Sequence, residues 1–206
     1  MSNSNNICTW KDISECKNCP VNGKLICHFH TKYLLSFLGL FLIFAITTFI
    51  GVIYAGFGWY LLGWIGFWLF FFEVWEIRIL CSHCPYYAEE GSTLHCIANY
   101  SSIKLWKYHP EPMNLSEKIQ LYIGFAILFG YPLIFLVLGS QFIFLVVSII
   151  EIFAFFSFIV IKRCGNCVNF SCPFNRVKKE IVDCFLEKNP VMKIAWEESG
   201  YKIRKK

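Results

Sequence analysis

The chain has 206 residues, of which 56% are hydrophobic, 19% aromatic and only 16% charged, with a net charge of +5. Soluble domains carry about a quarter charged residues, and 22 Phe with 7 Trp exceed what a soluble core of this length hides. The composition excludes an ordinary soluble enzyme or a nucleic-acid-binding module and points to lipid as the solvent.

Residues 1–32 form a polar lead holding Cys8, Cys16, Cys19 and Cys27 with His28 and His30. No cleavable signal peptide is expected, because this lead is polar and the apolar run that follows is too long for one. Cys16-Lys17-Asn18-Cys19-Pro20, followed by Asn22-Gly23, reads as a tight turn.

Tyr33 to Phe72 contains no charge. One helix spans the hydrocarbon in about 20 residues, so this stretch predicts two spans, near 33–55 and 59–80, turning at Gly51, Gly56 and Gly58. Residues 81–118 are polar again, with Cys81, Cys84 and Cys96 beside His83, His95 and His109. Asn114-Leu115-Ser116-Glu117 reads as a capping box that opens the next helix.

A second hairpin is predicted over 119–161, with helices near 119–138 and 141–161, a turn at Gly139-Ser140-Gln141 and a kink at Pro132. The tail, 162–206, holds Cys164, Cys167, Cys172 and Cys184. It predicts an amphipathic helix over Phe174 to Lys188 and a short second one that starts at Pro190. The predicted fold class is an all-α integral membrane protein: four transmembrane helices as two hairpins (33–80 and 119–161) under a cysteine-rich cap.

Four spans put both termini and the middle segment on one side, together with all 19 Lys and Arg. The positive-inside rule makes that side cytoplasmic. Thiols there are kept reduced, and 11 cysteines are an odd number, so a disulfide framework is not expected.

Three clusters carry the chemistry: Cys16, Cys19 and Cys27; Cys81, Cys84 and Cys96; Cys164, Cys167, Cys172 and Cys184. Each begins with C-x2-C, whose sulfurs span two corners of a tetrahedron around a metal ion. His28, His30 and His95 are candidate additional ligands, whereas His83, inside its C-x2-C, reads as a neighbour. Cys8 stands outside the clusters. Zinc is the favoured ion. Iron–sulfur is the alternative, because Cys19, Cys84 and Cys172 are each followed by Pro, which resembles ferredoxin-type loops, although the bacterial run C-x2-C-x2-C-x3-C-P is absent.

Glu73, Glu76 and Glu151 fall inside predicted spans, where a carboxylate is costly and marks a candidate site. Glu73 and Glu76, three residues apart, are expected on one face in an ion network with Arg78. Three functions follow as expectations. The first is a membrane protein with a zinc-stapled cap that presents a rigid surface to a protein partner or to lipid. The second is an oxidoreductase subunit that passes electrons through iron–sulfur or dithiol centres to a quinone-like carrier. The third is a lipid-modifying transferase, because Lys107-Tyr108-His109-Pro110 resembles the His-Pro element of integral-membrane methyltransferases. The acidic pattern of that family is missing from the tail.

Overall fold

The computed structural model describes residues 8–10, 16, 19–96 and 99–204. Lys17 and Asn18 of the predicted turn, and Lys205 and Lys206 at the end of the predicted tail, lie outside the described residues. The chain is mostly helical, and three helices are long and apolar enough to cross a membrane: α1 (Thr31–Tyr54), α4 (Leu115–Leu138) and α5 (Phe142–Lys162). Between α1 and α4 a further helical run packs into the same bundle. It comprises α2 (Tyr60–Phe70), a π-helical segment (Phe71–Trp75) and α3 (Glu76–Ile79).

The bundle is held by aromatic packing. Phe41, Phe44, Trp64, Phe71, Leu121, Leu128 and Phe155 are buried in one cluster, and the Trp64 indole N–H donates to the Leu128 carbonyl at 2.8 Å. The outer faces are apolar as well. Of the 21 residues of α5 only Ser148 and Phe155 are buried, and Ile143 and Phe153 are 80% and 70% exposed. Such a surface is compatible with contact to a lipid bilayer.

At the end away from the cap, Gly56 takes φ +82, and Gly139 lies against Ala55, where a Cβ would meet the Ala55 backbone at 2.8 Å. The capping box forms as expected: the Glu117 N–H donates to Asn114 Oδ1, and the Asn114 N–H donates to Glu117 Oε2, each at 2.9 Å. The α4 helix continues through Pro132.

The three polar segments gather at the other end of the bundle. Ile26 bridges to Cys167, the Tyr86 hydroxyl donates to the Ile26 carbonyl at 2.7 Å, and the Asn169 amide donates to the Leu80 carbonyl at 3.1 Å. The middle segment contains a short antiparallel hairpin that the sequence reading lacked, β1 (Thr93–His95) with β2 (Tyr100–Ile103). The tail forms α6 (Lys179–Glu187) and α7 (Pro190–Glu198), the latter starting on its proline. The cap has its own apolar core, in which Val21, Tyr86, Val168, Phe185, Leu186 and Trp196 are buried.

Asp183 ties the last residues to this cap. Lys179 Nζ donates to both carboxylate oxygens at 2.9 and 3.3 Å, the Tyr201 hydroxyl donates at 2.8 Å and the Arg204 N–H at 3.3 Å. Burial opposes ionisation, but these donors outweigh it and hold the carboxyl below the usual range. A carboxylate with a lowered native pKa contributes stability above its unfolded pKa, and that stability is lost as pH falls through the native value. Asp183→Ala is expected to cost the cap about 2 kcal/mol at neutral pH. It should also expose residues 199–204 to protease, with the difference from the parent protein vanishing in acid. Limited proteolysis across a pH series checks this.

Candidate metal–thiolate site

The second helical run ends in tight turns because Cys81-Ser82-His83-Cys84-Pro85 cannot extend the helix: Pro85 forces Cys84 out of the helical region. One turn covers Cys81–His83 and the next Pro85–Ala88. On α5 the chain leaves the bundle at Arg163 and turns through Cys164, Cys167 and Cys172. Asn175 secures that loop by donating to the carbonyls of Cys167 and Asn169 at 2.8 and 2.9 Å.

These turns face one another. Cys81, Cys84, Cys96, Cys164, Cys167 and Cys172 all line a single cavity of about 150 Å³ at the end of the bundle. The second and third clusters of the sequence are therefore neighbours in space. Cys184 is the exception: it packs against the cap core on α6. Cys81, Cys84, Cys164, Cys167 and Cys172 are thiols rather than disulfides. Burial, and after it the neighbouring sulfurs Cys96 and Cys167, pushes the Cys84 thiol well up. Burial likewise raises Cys81, and holds Cys172 at about 12. Such sulfurs are neutral thiols on their own and thiolates only beside a cation.

A second cavity, of about 440 Å³, collects Cys8, Cys16, Cys19, Cys27, His28 and His30. A hydrogen bond with Cys8, then burial, pushes the Cys27 thiol up, and His28 Nε2 stands 3.6 Å from Cys16 Sγ. Cys8, which has no C-x2-C partner in the sequence, thus joins the first cluster through the fold. Its backbone N–H donates to Asn189 Oδ1 at 2.7 Å, which ties Cys8 to the tail.

The two cavities adjoin. Tyr33 and Arg163 line both. The Arg163 guanidinium lies 4.3 Å from the Tyr33 ring and donates to Ser36 Oγ at 2.8 Å. Tyr86 stands between the sulfur groups: burial first, then Cys84, Cys96, Cys167 and Cys27, all raise its hydroxyl.

His95 turns away, 3.7 Å from Glu89 and against the ring of Tyr100. His83 is held elsewhere, with Nδ1 2.7 Å from the Glu111 carbonyl and Nε2 3.3 Å from Glu117. Among the described residues, no group of three or more His, Cys, Asp or Glu is arranged so that it could hold a metal ion.

The carboxylates differ from expectation. Arg78 pairs with Glu117 at 3.6 Å rather than with Glu73 or Glu76. The π-helical segment contains Glu73 and ends just before Glu76, and its wider turn shifts their relative orientation. Glu76 is buried and accepts from Asn99 Nδ2 and from Cys81 Sγ, whereas Glu73 is exposed and accepts from Ser102 Oγ at 3.2 Å. Glu151 accepts from Thr47 Oγ1 at 2.9 Å, one turn from the Thr48–Ser148 hydroxyl pair. It is a polar contact between α1 and α5, away from the thiols.

Sequence reasoning missed Cys8, Asn99, Tyr86 and Arg163. Asn99 and Tyr86 had no motif around them, and Arg163 was counted only among the 19 Lys and Arg. A comparison with known protein families, curated proteins and solved structures finds no match.

Proposed function

We propose that this protein is a four-span membrane protein whose cytoplasmic cap holds two metal–thiolate centres of the iron–sulfur type, placed to pass electrons at the membrane border. One observation carries the reading: six cysteines from separate stretches of chain line one cavity against the end of the bundle. Four further cysteines line the adjoining cavity.

The fourth crossing is the run Tyr60–Ile79, whose rise of 1.5 Å per residue gives about 30 Å, the thickness of the hydrocarbon. The cytoplasmic side follows from the 19 Lys and Arg, none of which falls in the far turns. In that compartment the sulfurs stay reduced and able to ligate.

Iron–sulfur is preferred to the zinc staple for two physical reasons. A structural zinc site closes four ligands tightly on one ion, but here six cysteines share with aromatic walls such as Phe125 and Phe156 the lining of a space of about 150 Å³, several times the roughly 30 Å³ that one water occupies. A staple is needed where a domain cannot build a core, and this cap buries Phe185, Leu186, Met192 and Trp196 on its own. Arg163, adjoining both cavities, supplies positive charge to offset thiolate-bound centres.

The test is anaerobic purification from membranes, followed by iron, zinc and acid-labile sulfide analysis with visible absorption. The expected protein is brown, contains iron and sulfide in equal amounts, and bleaches with dithionite. A colourless protein with stoichiometric zinc, or one without metal, overturns the proposal.

A further inference from the structure

The ring of Tyr33, in the first turn of α1, gathers cations. The Arg163 guanidinium lies 4.3 Å from its centre and Lys32 Nζ 5.1 Å, and Lys162 stands beside Arg163 as the last residue of α5. Among the described residues none of these three cations forms an ion pair. Like charges drawn together without a counter-charge repel one another. The negative end of the α5 dipole offsets part of that cost, but it does not use up the guanidinium. Arg163 Nη2 donates to Ser36 Oγ at 2.8 Å, while the buried Nε has no hydrogen-bond partner among the described residues.

Tyr33, Lys162 and Arg163 line the cavity of about 440 Å³ together with His30, the N-cap of α1. Among the described residues no carboxylate lines it. Its other walls include the four cysteines of the lead, His28 and the apolar Val21, Leu25 and Ile26, and the Asn166 amide is already spent on the Lys24 carbonyl at 2.7 Å. The basic residues thus come from the ends of two apolar helices, the level at which a bilayer places its headgroups. Next to them, Leu35 and Ile161 are 62% and 70% exposed, an apolar surface that a soluble anion would not use.

We propose that this basic end of the cavity binds the phosphate of an anionic phospholipid, with Lys162 and Arg163 against its oxygens and the acyl chains outside along α1 and α5. His30 and Tyr33 add neutral hydrogen-bond donors to the headgroup. The inference rests on the reading of α1 and α5 as membrane spans and is independent of the metal centres.

The probe is palmitoyl-oleoyl phosphatidylglycerol, with phosphatidylcholine of the same chains as the reference, whose choline cation cancels the phosphate charge. Each is titrated onto the full-length protein in detergent micelles at about 0.15 M salt, where charges beyond about 8 Å are screened. Native mass spectrometry counts the lipids bound. Phosphatidylglycerol is expected to bind at least about fivefold more tightly than phosphatidylcholine. Lys162→Gln, at an exposed position, should remove about fivefold of that affinity, and Arg163→Gln at least as much. Lys118→Gln, which removes a charge near the start of α4 and from no wall of this cavity, should leave the affinity unchanged. Because Arg163→Gln also breaks the bond to Ser36, the contrast between Lys162→Gln and Lys118→Gln decides the outcome if the arginine variant does not fold. Equal affinity for the two lipids, or equal losses from the two lysine variants, overturns the inference and leaves the membrane bundle standing. Full displacement of the lipid by millimolar inorganic phosphate makes a soluble anion the occupant and overturns it as well. A chain recovered in the soluble fraction without detergent sinks the membrane-spanning reading itself, and the lipid site with it.

Discussion

Cys84→Ser and Cys167→Ser are each expected to remove the iron held by the six-cysteine cavity while leaving that of the neighbouring one. Both line the cavity, and each has Cys96 as a neighbour. Serine keeps the shape but replaces a soft sulfur with a poor ligand for iron. Cys8→Ser and Cys27→Ser are expected to do the reverse, emptying the N-terminal cavity alone. Cys184→Ser, on the cap core, should leave both contents unchanged. The measurement is iron per protein for each variant, with Cys84→Ser/Cys27→Ser as the double. The losses should add to the whole in the double variant, because the two groups of sulfurs occupy separate cavities. A Cys184→Ser variant that loses iron, or a Cys8→Ser variant that keeps all of it, contradicts this assignment.

The contrast between Cys8 and Cys184 marks where sequence stops being informative. Ligand-type spacing is a local property, and C-x2-C pairs announce themselves because both sulfurs come from one turn. The membership of a cluster is a tertiary property. Cys184 follows Cys172 in sequence and was grouped with it, but on the α6 helix it packs against the cap core and does not line the six-cysteine cavity. Cys8 had no near partner and was left alone, yet the bond from its N–H to Asn189 brings it beside Cys27.

The long apolar helices were legible for the opposite reason. Lipid imposes one rule over many residues, so the uncharged stretches and their glycine turns placed α1, α4 and α5 closely. The capping box at Asn114 was legible too, since its two hydrogen bonds lie within four residues. The π-helical turn was not, because no local pattern distinguishes Phe71–Trp75 from ordinary helix. Missing it misplaced Glu73 and Glu76 with respect to Arg78. The β1–β2 hairpin was missed as well: its strands of three and four residues are too short for alternation to register.

The residue that begins that π-helical turn carries the second large effect. Phe71 is fully buried, and its ring occupies the space where any side chain on Gly124 of α4 would go, with Phe71 Cδ2 2.7 Å from the Cβ position and Cε2 closer still. Phe71 packs against Phe67, Phe72 and Phe125 at 5.9, 5.3 and 5.3 Å between ring centres, so it has no open direction in which to yield. Gly124→Leu is expected to destabilise the bundle by about 3 kcal/mol, the upper part of the range for overpacking a close-packed site. Phe71→Ala alone is expected to cost about 3–5 kcal/mol through the cavity it leaves. Combined, the leucine enters the space the ring vacated, so the double variant should be more stable than the sum of the two losses predicts, by at least about 1 kcal/mol. Unfolding of the four proteins in mixed micelles measures the cycle. Strict additivity would mean that the ring does not occupy the place where the leucine must go.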